Sequence, residues 1–195
     1  MAVSGLDRGQ RKANLIRRGD YASALFQRFC EMMDRLGPRA RLLDLGPSTP
    51  ENVVYWARRG HAVAALDYIG HHANGSEHPL ERFEDGHFGG ILGWTVLSHL
   101  PSDEAIQLMG QLERVIQPGG LLFAIFDGDG QQVPPARRYR IVSGARLAFE
   151  PIDRNAPRPV VTGEIEVLFH AFKPARLTVM RHGSREALGS FPLHE

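Results

Sequence analysis

Residues Arg41 to Asp67 constrain the fold most, because they hold a strand, a capped helix and a second strand in immediate succession. Arg41-Leu42-Leu43-Asp44-Leu45-Gly46 is a short apolar strand broken by glycine. Ser48 can cap the helix that follows, Pro50 suits its first turn, and Glu51 stands where a capping box needs it, so the pattern predicts a helix from Pro50 to Arg59. Gly60 closes that helix, and His61 to Asp67 reads as a second apolar strand with an acidic last residue. Such a unit implies parallel strands joined by a right-handed crossover, and ligands of open α/β sheets bind outside the carboxyl ends of the strands. Asp44, Gly46 and Asp67 are therefore expected on one rim.

The rest of the chain extends this pattern. Tyr21 to Leu36 carries Leu25, Phe29, Met32, Met33 and Leu36 at helical spacing, and Gly37-Pro38 ends it; Cys30 within it reads as a packing residue. Tyr68 to Gly86 shows only a weak strand candidate at Pro79 to Phe83. Phe88 to Val96 reads as a buried strand, Ser102 to Val115 as a helix, Gln117 to Gly120 as a turn, and Leu121 to Phe126 as a buried parallel strand. Arg138 to Val142 and Arg146 to Glu150 suggest a hairpin above the rim, Thr162 to Phe172 a helix, and Arg176 to Met180 with Arg185 to Ser190 a terminal hairpin. The fold class expected is α/β: a mostly parallel Rossmann-like central sheet, a C-terminal antiparallel hairpin and helices on both faces. Residues 1–19 are expected to form a basic arm or short helix, and 20–195 one domain with a hairpin insertion at 137–151.

Composition excludes several classes. The 195 residues suit one domain, and a net charge of +1 gives no overall drive toward nucleic acid. Arg8, Arg11, Lys12, Arg17 and Arg18 crowd the start without interleaved aromatics, the pattern of a solvated segment. No run reaches the roughly 18–20 apolar residues of a membrane span, and no apolar stretch follows the first charges as in a signal peptide. A single cysteine favours a reducing, cytoplasmic location. Gly-Pro-Ser-Thr-Pro stands where a nicotinamide-binding fold needs G-x-G-x-x-G, and a nucleophile elbow, a P-loop and paired cysteines are all missing. His71, His72 and His78 near Glu77 lack the spacing of metal ligands, so no metal is expected.

Three blocks in order, Leu42 to Thr49, Phe88 to Leu100 and Arg114 to Leu122, resemble the class I S-adenosylmethionine-dependent methyltransferases over residues 20 to 191. The chain is also similar to small bacterial methyltransferase-like proteins with Asp-Leu-Gly-Pro after the first strand. The resemblance implies S-adenosylmethionine as cofactor, with Asp44 and Gly46 beside its methionine part and Asp67 accepting from both ribose hydroxyls. It places backbone N–H groups near Ser48 and Thr49 against the cofactor carboxylate, and lets Tyr68 and Trp94 pack on the adenine or the methionine arm. His99 falls where acceptors approach, and its imidazole can serve as a base or simply enter the helix beside Pro101. The acceptor stays unidentified, with a small molecule favoured. Arg137, Arg138, Arg140 and Arg146 on the hairpin either orient an anionic acceptor or form a solvated face.

Departures from the family pattern leave a second reading open. Ser48 and Pro50 replace further glycines, Gly89 and Thr95 replace aspartates, and only Glu81 and Glu84 offer a partner for an adenine amino group. A catalytically silent methyltransferase-like binding or scaffold domain is the alternative.

Overall fold

The computed structural model describes residues 19–73, 79–127 and 134–193. In chain order these form β1 (Gly19–Ala22), α1 (Ala24–Arg35), β2 (Arg41–Asp44), α2 (Pro50–Arg58), β3 (Ala62–Ala65), α3 (Tyr68–Ala73), β4 (Phe88–Trp94), α4 (Val96–His99), α5 (Ser102–Val115), β5 (Ile116–Phe126), β6 (Arg137–Ser143), β7 (Arg146–Pro151), α6 (Thr162–Leu168), β8 (Arg176–Val179) and β9 (Arg185–Ser190). The main sheet has the order β3-β2-β4-β5-β9-β8. Strands β3, β2, β4 and β5 are parallel, and β9 runs antiparallel to both β5 and β8. The terminal hairpin thus completes the sheet beyond β5.

Alternation along the strands decides which helices cover which face. Leu42, Leu92, Leu121, Phe123 and Ile125 meet Phe26, Phe29 and Met33 of α1 and Trp56 of α2. Leu43, Ile91, Leu122, Ala124 and Phe126 point the other way, toward Leu97, Leu108, Leu112, Ile165 and Leu168 from α4, α5 and α6. Each large side chain buried in these layers contributes roughly 1.5–3 kcal/mol. Helix α1 rides so close to β4 that a Cβ at Gly90 would fall 2.3 Å from Met33 Sδ.

A second sheet, β1-β7-β6, is antiparallel throughout. Its Tyr139, Ile141, Leu147 and Phe149 join the core on the α1 and α2 side. Asn52 of α2 ties it down: its side chain donates to Tyr139 O at 3.1 Å and accepts from Ile141 N at 2.8 Å.

Four local expectations change. Residues 19–22 are strand, so the helix expected from Tyr21 begins only at Ala24, and Ser23 caps α1 by accepting from Phe26 N at 2.9 Å. Pro79 to Phe83 is turn, because its carbonyls at Leu80 and Phe83 bind the Arg114 guanidinium instead of a neighbouring strand. Strand β5 begins already at Ile116; Phe88 pairs with Ile116 and Gly90 with Leu121, so the expected turn is a bulge with Gly119 at φ 77°. Helix α6 ends at Leu168, before the Phe169 to Phe172 stretch packs inward. The basic residues from Arg8 to Arg18 lie outside the described residues. Among those described, no helix is long and apolar enough to cross a membrane.

Candidate functional site

Strand order creates the site. From β2 the chain moves to β3 on one side, then crosses to β4 on the other, so the order reverses between β2 and β4. Ligands of open α/β sheets bind at such a switch point, outside the carboxyl ends of the strands; here the Trp94 indole fills the place over Gly46. Gly46 follows β2 on one wall, and Trp94 ends β4 on the other.

Trp94 takes φ 43°, a left-handed conformation that L residues seldom adopt, and this turns its indole over Gly46. A Cβ at Gly46 would lie 2.4 Å from Trp94 Cδ1, so only glycine admits the ring there. The indole donates from Nε1 to Asp44 Oδ1 at 2.7 Å. Asp44 also accepts from Gly46 N at 3.1 Å and from Ser48 Oγ at 2.9 Å. It is fully buried, and burial pushes its carboxyl up to about 6 although these three donors pull the other way. Asp44 therefore braces the turn after β2 from within.

Ser48 is thereby diverted from the helix it was expected to cap. Thr49 takes that place, accepting from Asn52 N at 3.3 Å, with Pro50 first in α2. Both Ser48 and Thr49 sit at the mouth of α2, where unpaired N–H groups favour anions.

Asp67 lies just past β3 on the same rim, its side chain about 33% exposed. Its Oδ1 accepts from Gly70 N at 3.1 Å, which also starts α3. Both carboxylate oxygens are held by the fork of Arg154, Nη1 to Oδ1 at 2.8 Å and Nη2 to Oδ2. Burial alone would raise the Asp67 carboxyl, but the bonds and charge of Arg154 with the Gly70 N–H outweigh it and hold it below the usual range. Tyr68 next door is buried, donates its backbone N–H to Leu45 O at 3.0 Å and lies parallel to the His72 ring, 6.2 Å away.

His99 ends α4 near the same rim. Burial lowers its pKa, the charge of Arg154 lowers it further, and Asp127 acts in the opposite sense. The segment from Ile152 to Val161 crosses here, fastened by Ile152 N to Ala136 O at 2.9 Å and Arg158 N to Ser98 O at 2.7 Å.

Sequence reasoning missed Arg154, Asp127 and Tyr139. Asp127, fully buried after β5, accepts from Tyr139 Oη at 3.0 Å, Ser184 Oγ at 2.5 Å and Arg137 Nη1 at 3.3 Å. The Tyr139 ring stacks on Trp94 at 5.8 Å and 7°, so the hairpin leans on the crevice wall. An aspartate straight after a buried strand was a readable signal; Arg154 carried none, standing in an aperiodic stretch far from Asp67.

The four hairpin arginines do not converge. Arg137 is buried on Asp127, Arg138 pairs with Glu150, Arg146 with Asp20, and Arg140 is exposed. Glu81 and Glu84 are exposed. His72 pairs with Glu104 at 3.0 Å, His78 and Glu77 lie outside the described residues, and among those described no three metal-ligating side chains converge.

No family model matches the sequence, and no curated protein does. Solved structures match the architecture. A Burkholderia thailandensis 1,6-didemethyltoxoflavin-N1-methyltransferase, solved with 1,6-didemethyltoxoflavin and S-adenosylhomocysteine, is 18% identical, with 87% of this chain and 79% of that one covered at a TM-score of 0.53. A SAM-dependent methyltransferase from Archaeoglobus fulgidus is 10% identical over 85% and 90%, with a TM-score of 0.59. The fold is that of the S-adenosylmethionine-dependent methyltransferases. The methyltransferase fold does not fix the chemistry, since the [4+2]-cyclase SpnF also matches, 13% identical over 86% of this chain and 82% of that one at a TM-score of 0.55.

Proposed function

We propose that this chain is an S-adenosylmethionine-dependent methyltransferase acting on a small-molecule acceptor, with the cofactor seated in the crevice between β2 and β4. Asp67 carries the reading. Arg154 shows that both carboxylate oxygens face the same side, as two adjacent hydroxyls require, and the residue stands at the rim end of β3 beside the switch point. The residues present fit the cofactor once Arg154 leaves Asp67 and the Trp94 indole moves off Gly46.

Asp67 would then accept from the ribose diol, Gly46 and the N–H groups at Ser48 and Thr49 would take the methionine end, and the rings of Tyr68 and Trp94 would wall the pocket. Asp44 contributes by holding the turn and the indole in place. Bound there, S-adenosylmethionine supplies an electrophilic methyl group on a sulfonium. The protein's part is to hold the acceptor in line with that group and to exclude water, which can provide most of the rate. His99, whose burial favours the neutral imidazole, can take the acceptor's proton.

Calorimetric titration with S-adenosylmethionine and S-adenosylhomocysteine tests this. Micromolar binding that disappears in Asp67→Ala supports a methyltransferase. A silent binding domain of the same fold is the second reading, favoured by the indole on Gly46 and the guanidinium on Asp67. Intact protein that takes up neither compound supports that reading.

A further inference from the structure

The feature that the proposed function leaves unused is Arg154. It does not belong to the β-sheet framework but to the crossing segment, which is clamped on either side of it. Ile152 N is bound to Ala136 O, and Arg158 is held by Ser98 O through its backbone, by Leu100 O at 2.5 Å and by Glu164 at 2.6 Å. The backbone at Arg154 is thus fixed over the rim, while its side chain, about 28% exposed, is held only by its pair with Asp67 among the bonds described. Two facts follow. Arg154 covers the pair of oxygens that a ribose would need, and it is carried by the segment whose Arg158 N is bound to Ser98 O, next to His99 in the chain.

We infer that Arg154 exchanges partners during the binding cycle: it holds Asp67 until a ribose takes that carboxylate, and then binds an anionic group on the methyl acceptor. The inference rests on the methyltransferase reading and adds the acceptor's chemical class, a small molecule bearing a carboxylate or phosphate. A guanidinium released from a bidentate pair is left with five donors and a full positive charge beside the cleft, and a planar or tetrahedral oxyanion satisfies both. Arg154 thereby makes cofactor and acceptor binding cooperative, since each removes the competitor of the other.

The experiment is calorimetric titration of S-adenosylhomocysteine into the full chain and into Arg154→Ala and Arg154→Gln, in chloride and in inorganic phosphate at matched ionic strength. Melting temperatures beforehand establish that both variants fold. In chloride, the variants should bind S-adenosylhomocysteine about five-fold more tightly than the parent, the scale of a partly exposed ion pair that no longer has to be broken. Phosphate should tighten binding to the parent at least two-fold, by occupying the released Arg154, and leave both variants unchanged. Binding that is equal or weaker in the variants overturns the exchange while leaving the methyltransferase reading intact. Tighter binding in the variants without a phosphate effect in the parent overturns the anionic acceptor. Failure of all three proteins to bind S-adenosylhomocysteine removes the methyltransferase reading and the exchange with it.

Discussion

Asp44 holds three donors that have nowhere else to go, so its protonation should be visible from outside. Its folded pKa of about 6 lies above the value of about 3.9 in an unfolded chain. Between those values the native state keeps a proton that the unfolded state releases. Stability contributed by Asp44 is therefore present at the acid end and falls as pH rises through the window from about 4 to 6, by about 2–3 kcal/mol. Urea denaturation across that range should show the stability difference between the parent and Asp44→Asn falling as pH rises, the difference isolating Asp44 from the other titrating groups. A difference that stays constant through that window would mean that the three donors fully offset burial. At this scale the sequence was half legible. Asp67 announced itself as the acid that ends an apolar strand, whereas Ser48 looked like the helix cap because its neighbour Thr49 carries the same chemistry, and only the nearby Asp44 carboxylate decides between them.

Between elements, the joint that matters most is Asn52, which fastens β6 to α2 through one donated and one accepted bond in a buried setting. Asn52→Ala leaves Tyr139 O and Ile141 N unpaired and should cost about 2–4 kcal/mol, each buried unsatisfied group being worth roughly 1–3. Hydrogen exchange at the Ile141 amide should quicken more than exchange in β4. Exchange at Ile141 that quickens no more than exchange in β4 would show that the hairpin holds without this joint. Local pattern revealed the parallel strands and α2 because their signals lie within a few residues. It mistook β1 for helix because Tyr21 precedes a strong 3.6-residue pattern, while its pairing with β7, Tyr21 opposite Leu147, depends on residues far along the chain. The Gln117 to Gly120 bulge was read as a turn for the same reason: glycine and proline mark a break, and only the register against β4 tells which kind.

For the whole molecule, the order of elements was enough to reach the methyltransferase fold, and the antiparallel β9 between β5 and β8 agrees with the terminal hairpin expected. Among the described residues the sheet ends at β3, in keeping with the short Tyr68 to Gly86 connection. What the sequence could not disclose is how the crevice is closed, since Trp94 on Gly46, Tyr139 on Trp94 and Arg154 on Asp67 each join distant segments. A cofactor between β2 and β4 would be reported by the two tryptophans, because the Trp94 indole covers Gly46 and bonds Asp44 at that point while Trp56 packs on Phe26 and Phe29 of α1. The measurement is a nitrogen–proton NMR titration of the two indole N–H signals with S-adenosylhomocysteine. The Trp94 signal should move and saturate, with the Trp56 signal nearly still; if neither signal moves, or Trp56 alone does, the cofactor does not bind between β2 and β4.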